Sequence, residues 1–83
     1  MQVTVRYFAS IREAIGTGNE VVQTTAADLA GLRDQLIAQS AGHASGLARG
    51  RSVRIAMNQV MCQETAVLVD GAEVAFFPPV TGG

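Results

Sequence analysis

Glu73-Val74-Ala75-Phe76-Phe77-Pro78-Pro79-Val80-Thr81-Gly82-Gly83 closes the sequence. Residues 73–77 read as a strand that follows the turn pair Asp70-Gly71, with Val74 and Phe76 sharing one face. Pro78-Pro79 fixes φ and offers no donor to a sheet ladder, so the strand stops there. The segment beyond leaves the domain as a stiff, extended arm. Residues 78–83 reach roughly 20 Å at full extension. Gly82 and Gly83 lack a Cβ and can thread a slot too narrow for any other residue. The expectation is a domain over residues 1–77 that presents the carboxylate of Gly83 on an arm over residues 78–83.

The other end of the sequence alternates just as cleanly. In Gln2-Val3-Thr4-Val5-Arg6-Tyr7-Phe8, Val3, Val5 and Tyr7 take one face and Thr4, Arg6 and Phe8 the other. Phe8 and Phe77 therefore fall opposite the apolar faces of their own strands. If those two strands are parallel neighbours, both rings meet beside the root of the arm, an exposed apolar patch of the kind that marks an interface.

Between them the pattern predicts a short helix over 9–15 ended by Gly16, and a strand over 20–23 that pairs with the first. A longer helix is expected from Thr25, with Thr25 and Asp28 as a variant capping box. Its apolar stripe is Leu29, Leu32, Leu36 and Ile37, and Gly42 is its expected stop. The small, polar residues 41–50 read as a loop. A strand over 53–57, a turn at Asn58-Gln59 and a return strand over 60–62 follow. The class is α+β, a mixed sheet of about five strands with one main helix on one face.

Composition narrows the function. Eighty-three residues at 48% hydrophobic content make one globular domain. Its core is modest, which disfavours an enclosed catalytic pocket. A net charge of −1 leaves no electrostatic footprint for nucleic acid. No apolar run approaches a membrane span and no signal segment is evident. The lone Cys62 cannot form an internal disulfide, so the expected compartment is the reducing cytoplasm. All six cations are arginine and lysine is absent, which excludes self-linked chains through side-chain amines.

The stretch from Asp70 to Gly83 resembles the C-terminus of the sulfur-carrier (small) subunit of molybdopterin synthase, the MoaD group of the ubiquitin-like MoaD/ThiS family. Val5-Arg6-Tyr7-Phe8-Ala9 with Arg12-Glu13, and Met57-Asn58-Gln59, are similar to it as well. The resemblance implies a ubiquitin-like β-grasp with adjacent, parallel first and last strands. It implies that an E1-like activating enzyme uses ATP and Mg²⁺ to adenylate Gly83, that a sulfur donor of the cysteine desulfurase or rhodanese type converts it to a thiocarboxylate, and that the tail enters a catalytic large subunit. There sulfur passes to cyclic pyranopterin monophosphate, within a heterotetramer. No cofactor bound by the chain itself is implied. Gly83 with Gly82 would carry the chemistry. Phe77, Pro78, Pro79, Val80, Thr81, Phe8, Arg12 and Met61 would face the partner.

The remaining reactive residues read as ordinary. His43 is expected on an exposed loop without a partner, Cys62 as an inert thiol, and Arg49, Arg51 and Arg54 as a solvated basic face. The carboxylates show no spacing typical of acid–base work, and no metal-ligand cluster is evident. The competing functions are a sulfur carrier for thiamin thiazole synthesis, a ubiquitin-like modifier joined to target lysines, and a binding module with an idle tail.

Overall fold

The computed structural model describes residues 1–79. Its elements are β1 (Gln2–Tyr7), α1 (Ala9–Ile15), β2 (Asn19–Gln23), α2 (Leu29–Ile37), α3 (Ala41–Leu47), β3 (Arg54–Met57), β4 (Val60–Cys62) and β5 (Glu73–Phe77). The strands form one mixed sheet in the order β2-β1-β5-β3-β4. β1 and β5 lie side by side and parallel, with Val5 opposite Val74 and Tyr7 opposite Phe76; the other three pairings are antiparallel. This is the β-grasp arrangement that the resemblance implies.

Strand alternation works as the sequence suggests. Val3, Val5, Tyr7, Val74 and Phe76 are buried and meet Leu29, Leu32 and Leu36 from α2 in a single core. Burying each such side chain contributes about 1.5–3 kcal/mol. Tyr7 stacks on Phe76 with ring centroids 6.2 Å apart. All three helices cover this one face, since Ile11 of α1 and Leu47 of α3 join the same cluster. Gly16 ends α1 with φ 93 and donates its N–H to the Arg12 carbonyl at 2.8 Å, a left-handed cap that favours glycine. Asn58 and Gln59 both have positive φ, 51 and 68, the geometry of a two-residue hairpin turn.

Three local expectations fail. The main helix begins at Leu29, and Asp28, not Thr25, is its N-cap, its carboxylate accepting from the Gly31 N–H at 2.8 Å. The amides of Leu29 and Ala30 are satisfied by the carbonyls of Ala66 and Glu64, at 3.1 and 2.9 Å. That loop is far away in sequence, so the helix can start without a local capping box. Gly42 does not stop α2, which ends at Ile37 with Ala38 as its C-cap. It lies inside α3, where a Cβ would come within 2.6 Å of the Ala14 carbonyl oxygen. The stretch read as a loop over 41–50 is thus a third helix through residue 47, capped by Ser40, whose hydroxyl accepts from the His43 N–H at 3.1 Å.

Candidate functional site

The parallel register of β1 and β5 decides what surrounds the root of the tail. Tyr7 and Phe76 face the core, so the next residue on each strand faces out. The rings of Phe8 and Phe77 meet there edge to face, with centroids 6.5 Å apart. Phe8 is 42% exposed and Phe77 half-buried. The Phe8 N–H donates to the Phe76 carbonyl at 3.1 Å, which carries the parallel pairing to the last residue before α1. Ala9 then turns the chain with φ 51, an uncommon conformation for a residue with a Cβ. Pro78 and Pro79, both half-buried, follow directly from β5.

Sequence reasoning missed other members of this surface. The Arg6 guanidinium lies over the Phe8 ring, 5.6 Å from its centroid, and reaches Glu73 at 3.9 Å. Alternation alone placed Arg6 two residues before Phe8 on one face, which was signal enough. Arg54 sits opposite Phe77 in the β3–β5 register. One row further from the root, Arg6, Ala75, Ala56 and Met61 align across β1, β5, β3 and β4. The two alanines make a low floor between the aromatic pair and Met61, which is 55% exposed. Met61 therefore shares the outer face but lies two strands away from Phe77. Arg12, on α1, donates its backbone N–H to the Phe8 carbonyl at 3.3 Å. With Ala9, Glu13 and Gly16 it lines an open groove of about 400 Å³, and its guanidinium lies against Gly18. Val80, Thr81, Gly82 and Gly83 lie outside the described residues.

His43 is not an exposed loop residue. It is 6% exposed, on α3. Its Nε2 lies 2.6 Å from Glu20 Oε2, and its Nδ1 lies 2.6 Å from the Ser40 hydroxyl. Glu20 also accepts from the Tyr7 hydroxyl at 2.7 Å and from the Gln39 amide at 2.8 Å. Burial pushes the Glu20 carboxyl up, but the hydrogen bonds from His43, Gln39 and Tyr7 outweigh it and hold it below its ordinary value. Burial and the neighbouring Glu20 raise the Tyr7 hydroxyl well above the usual tyrosine range. The cluster faces the helices, on the side of the sheet away from the tail root, and it ties β1 and β2 to α3. No single stretch of sequence contains both His43 and Glu20, so the pair was invisible to a linear reading.

Arg49, Arg51 and Arg54 are all exposed, as expected, but Arg49 is linked through Glu64 to a buried arginine. Buried Arg33 donates to the carbonyls of Leu47, Ala48 and Arg51 and to Glu64. Arg49 donates to both Glu64 oxygens at 2.7 Å and pairs with Asp34 at 2.8 Å. Burial raises the Glu64 carboxyl, yet Arg33 and Arg49 together hold it below its ordinary value. Arg49 is therefore exposed but engaged in an ion-pair network, not simply solvated. Cys62 is half-buried, its thiol donating to the Val60 carbonyl at 3.2 Å. Among the described residues no group of three or more His, Cys, Asp or Glu side chains is placed to hold a metal ion. Among them, too, no helix is long and apolar enough to cross a membrane.

Comparison with known proteins assigns the chain to a family. The ThiS family model matches residues 5–83. The molybdopterin synthase sulfur carrier subunit of Escherichia coli K12 is 41% identical over 98% of this chain and 99% of its own length. The protein of that name from Mycobacterium tuberculosis is 38% identical over 100% and 99%. Among solved structures, the complex of subunits 1 and 2 of the molybdopterin-converting factor from Helicobacter pylori contains a chain 30% identical, with a TM-score of 0.66 and full coverage of both chains. SAMP1 from Haloferax volcanii, 22% identical with a TM-score of 0.80 over the whole of both chains, shares the fold. With a family match over nearly its whole length and full-length relatives of this kind, the chain belongs to the ThiS family, and it is a homologue of the molybdopterin synthase sulfur carrier subunits.

Proposed function

We propose that this chain is the small subunit of a molybdopterin synthase and carries sulfur as a thiocarboxylate at Gly83. The observation that carries the reading is the Phe8–Phe77 pair at the exit of β5. A docking surface there, followed immediately by Pro78-Pro79, would bring the end of the chain to the partner that covers the pair. The Helicobacter pylori neighbour, solved as a complex of subunits 1 and 2 of its converting factor, supports a second subunit as that partner.

A carboxylate is a poor electrophile, so Gly83 must first be activated. An E1-like enzyme supplies ATP and Mg²⁺; a Gly83 oxygen attacks the α-phosphorus, and pyrophosphate leaves. The outer sulfur of a persulfide on a desulfurase or rhodanese-type donor then attacks the acyl carbon and AMP departs, leaving an acyl disulfide. A thiol attacks the donor's own sulfur, forms a disulfide with it and breaks the S–S bond to the acyl sulfur. The resulting thiocarboxylate is delivered inside the large subunit to cyclic pyranopterin monophosphate. The carrier's contribution is positioning: sulfur on a tethered arm arrives at high effective concentration and in a defined orientation. With the large subunit as a dimer, one carrier on each protomer gives a heterotetramer.

The test is intact-mass measurement after incubation with an activating enzyme, ATP and a sulfur donor. The expected change is replacement of one oxygen by sulfur, localised to Gly83 and absent when Gly83 is deleted. An unchanged mass with an enzyme system proven on a related carrier overturns the reading. Capture of a thiazole synthase instead of a molybdopterin synthase large subunit would redirect the same chemistry to thiamin.

A further inference from the structure

The sequence has six arginines and no lysine, and the structure places two of the six at the root of the tail. Arg6 lies over Phe8, and Arg54 sits opposite Phe77 in the β3–β5 pairing. Both are exposed. They supply positive charge where a partner would dock, yet neither carries a nucleophilic nitrogen. A guanidinium stays protonated and delocalised, whereas a lysine ammonium readily gives up a proton and becomes an amine.

We infer that Arg6 and Arg54 set the acceptor specificity of the activated tail, by placing cations at its root that the acyl group cannot acylate. The inference rests on the carrier reading, because only an activated Gly83 needs such protection. The reaction avoided is self-aminolysis. An amine nitrogen attacks the acyl carbon, the new C–N bond forms, and the bond to the leaving group breaks with its electron pair, releasing AMP or a thiol. The amine's proton passes to the buffer. With residues 78–83 as a tether of roughly 20 Å, a lysine at the root would lie well within reach, at an effective concentration in the millimolar range. The product would be a lactam that consumes the carrier.

The α-amino group of Met1 lies elsewhere. It donates to the Thr24 carbonyl at 2.8 Å, at the start of β1, whereas the tail leaves from the end of β5. Because β1 and β5 are parallel, the length of β1 separates the two, about 20 Å at 3.3 Å per residue. A tail would have to run back along the sheet fully extended to reach it. The activated acyl group is thereby left to the sulfur nucleophile brought by a second protein.

The test needs no activating enzyme. The 83-residue chain is prepared as a C-terminal thioester by thiol cleavage of an intein fusion, alongside Arg6→Lys, Arg54→Lys and, at the far end of the sheet, Gln23→Lys. Circular dichroism and melting confirm that each is folded. At mildly alkaline pH the parent thioester should be lost by hydrolysis alone. Arg6→Lys and Arg54→Lys should also form an amide-linked species, resistant to hydroxylamine and mapped by tandem mass spectrometry to the substituted position. Their thioesters should disappear about tenfold faster or more, and the Gln23→Lys thioester more slowly than theirs. Self-linking of the parent at the rate of the root variants would overturn the inference. So would root variants whose thioesters last as long as the parent's. Neither result bears on the mass-shift experiment with the activating enzyme, so the two readings fail separately.

Discussion

Phe8 and Phe77, 69 positions apart in sequence, touch edge to face at 6.5 Å on the side of the sheet away from the core. Their contact is the outward counterpart of the Tyr7–Phe76 stack beneath it. The inner pair holds the fold together, and the outer pair is left for something else.

Phe77→Ala should therefore weaken binding to a molybdopterin synthase large subunit by about 1–3 kcal/mol, as loss of an aromatic anchor does. The melting temperature should change little. Titration calorimetry and a thermal melt read the two effects separately. A large fall in melting temperature with unchanged affinity would place Phe77 in the core. On the proposed function an activating enzyme would need the same tail, so it and the large subunit should compete; a sizing-column peak with both on one carrier would contradict a shared surface.

His43→Ala should destabilise the domain by about 1–3 kcal/mol, because it leaves the Glu20 carboxylate and the Ser40 hydroxyl without their shared partner. Urea unfolding measures this. Large-subunit affinity should hold, since the cluster lies on the opposite side of the sheet from Phe8 and Phe77. A loss of affinity in a variant that stays folded would contradict that separation.

The pH dependence follows from the same groups. Glu20 and Glu64 are held below their ordinary values in the folded state. The stability they supply is therefore present above the usual glutamate range, near pH 4.3, and is lost as pH falls through their folded values. Tyr7 is shifted the other way, so its contribution is present below about pH 10 and lost above it. Stability measured across pH should fall at both ends. Glu64→Gln should flatten the acid limb and Tyr7→Phe the alkaline one; limbs unchanged in both variants would refute the assignment.

Gly42→Ala should cost about 1–3 kcal/mol by overpacking, since the added methyl would meet the backbone of α1 at Ala14. At Gly50 a Cβ meets nothing within 4 Å, so Gly50→Ala should be nearly neutral. Equal effects at the two positions in chemical denaturation would show that α1 and α3 can separate without penalty.

What could be read from the sequence was what is encoded locally. Period-two alternation found the strands, and a strand closed by two prolines located the tail root. The same alternation exposed Phe8 and Phe77 as misfits before their contact was known. What escaped was encoded between distant segments. α3 is built from Ala41-Gly42-His43-Ala44-Ser45-Gly46-Leu47, a run with two glycines and poor intrinsic helicity. It is helical because those glycines allow close approach to α1 and because Arg33 satisfies carbonyls at its C-terminal end. Ser40 was the one local clue, as an N-cap residue. The start of α2 was misplaced for a similar reason, since the loop carbonyls that receive its first amides come from residues 64 and 66.

The parallel pairing of β1 with β5 also has a kinetic side. The centre of the sheet joins the first strand to the last, so it cannot close while the chain is still being made up to Phe77. Such long-range pairing slows folding relative to local contacts, and until it forms, β1 exposes an unpaired edge that invites aggregation. The same event that completes the core sets the position of Pro78. A nascent or misfolded copy thus lacks both the aromatic pair and a placed Pro78, and a partner that requires the two together would accept only chains that have finished folding.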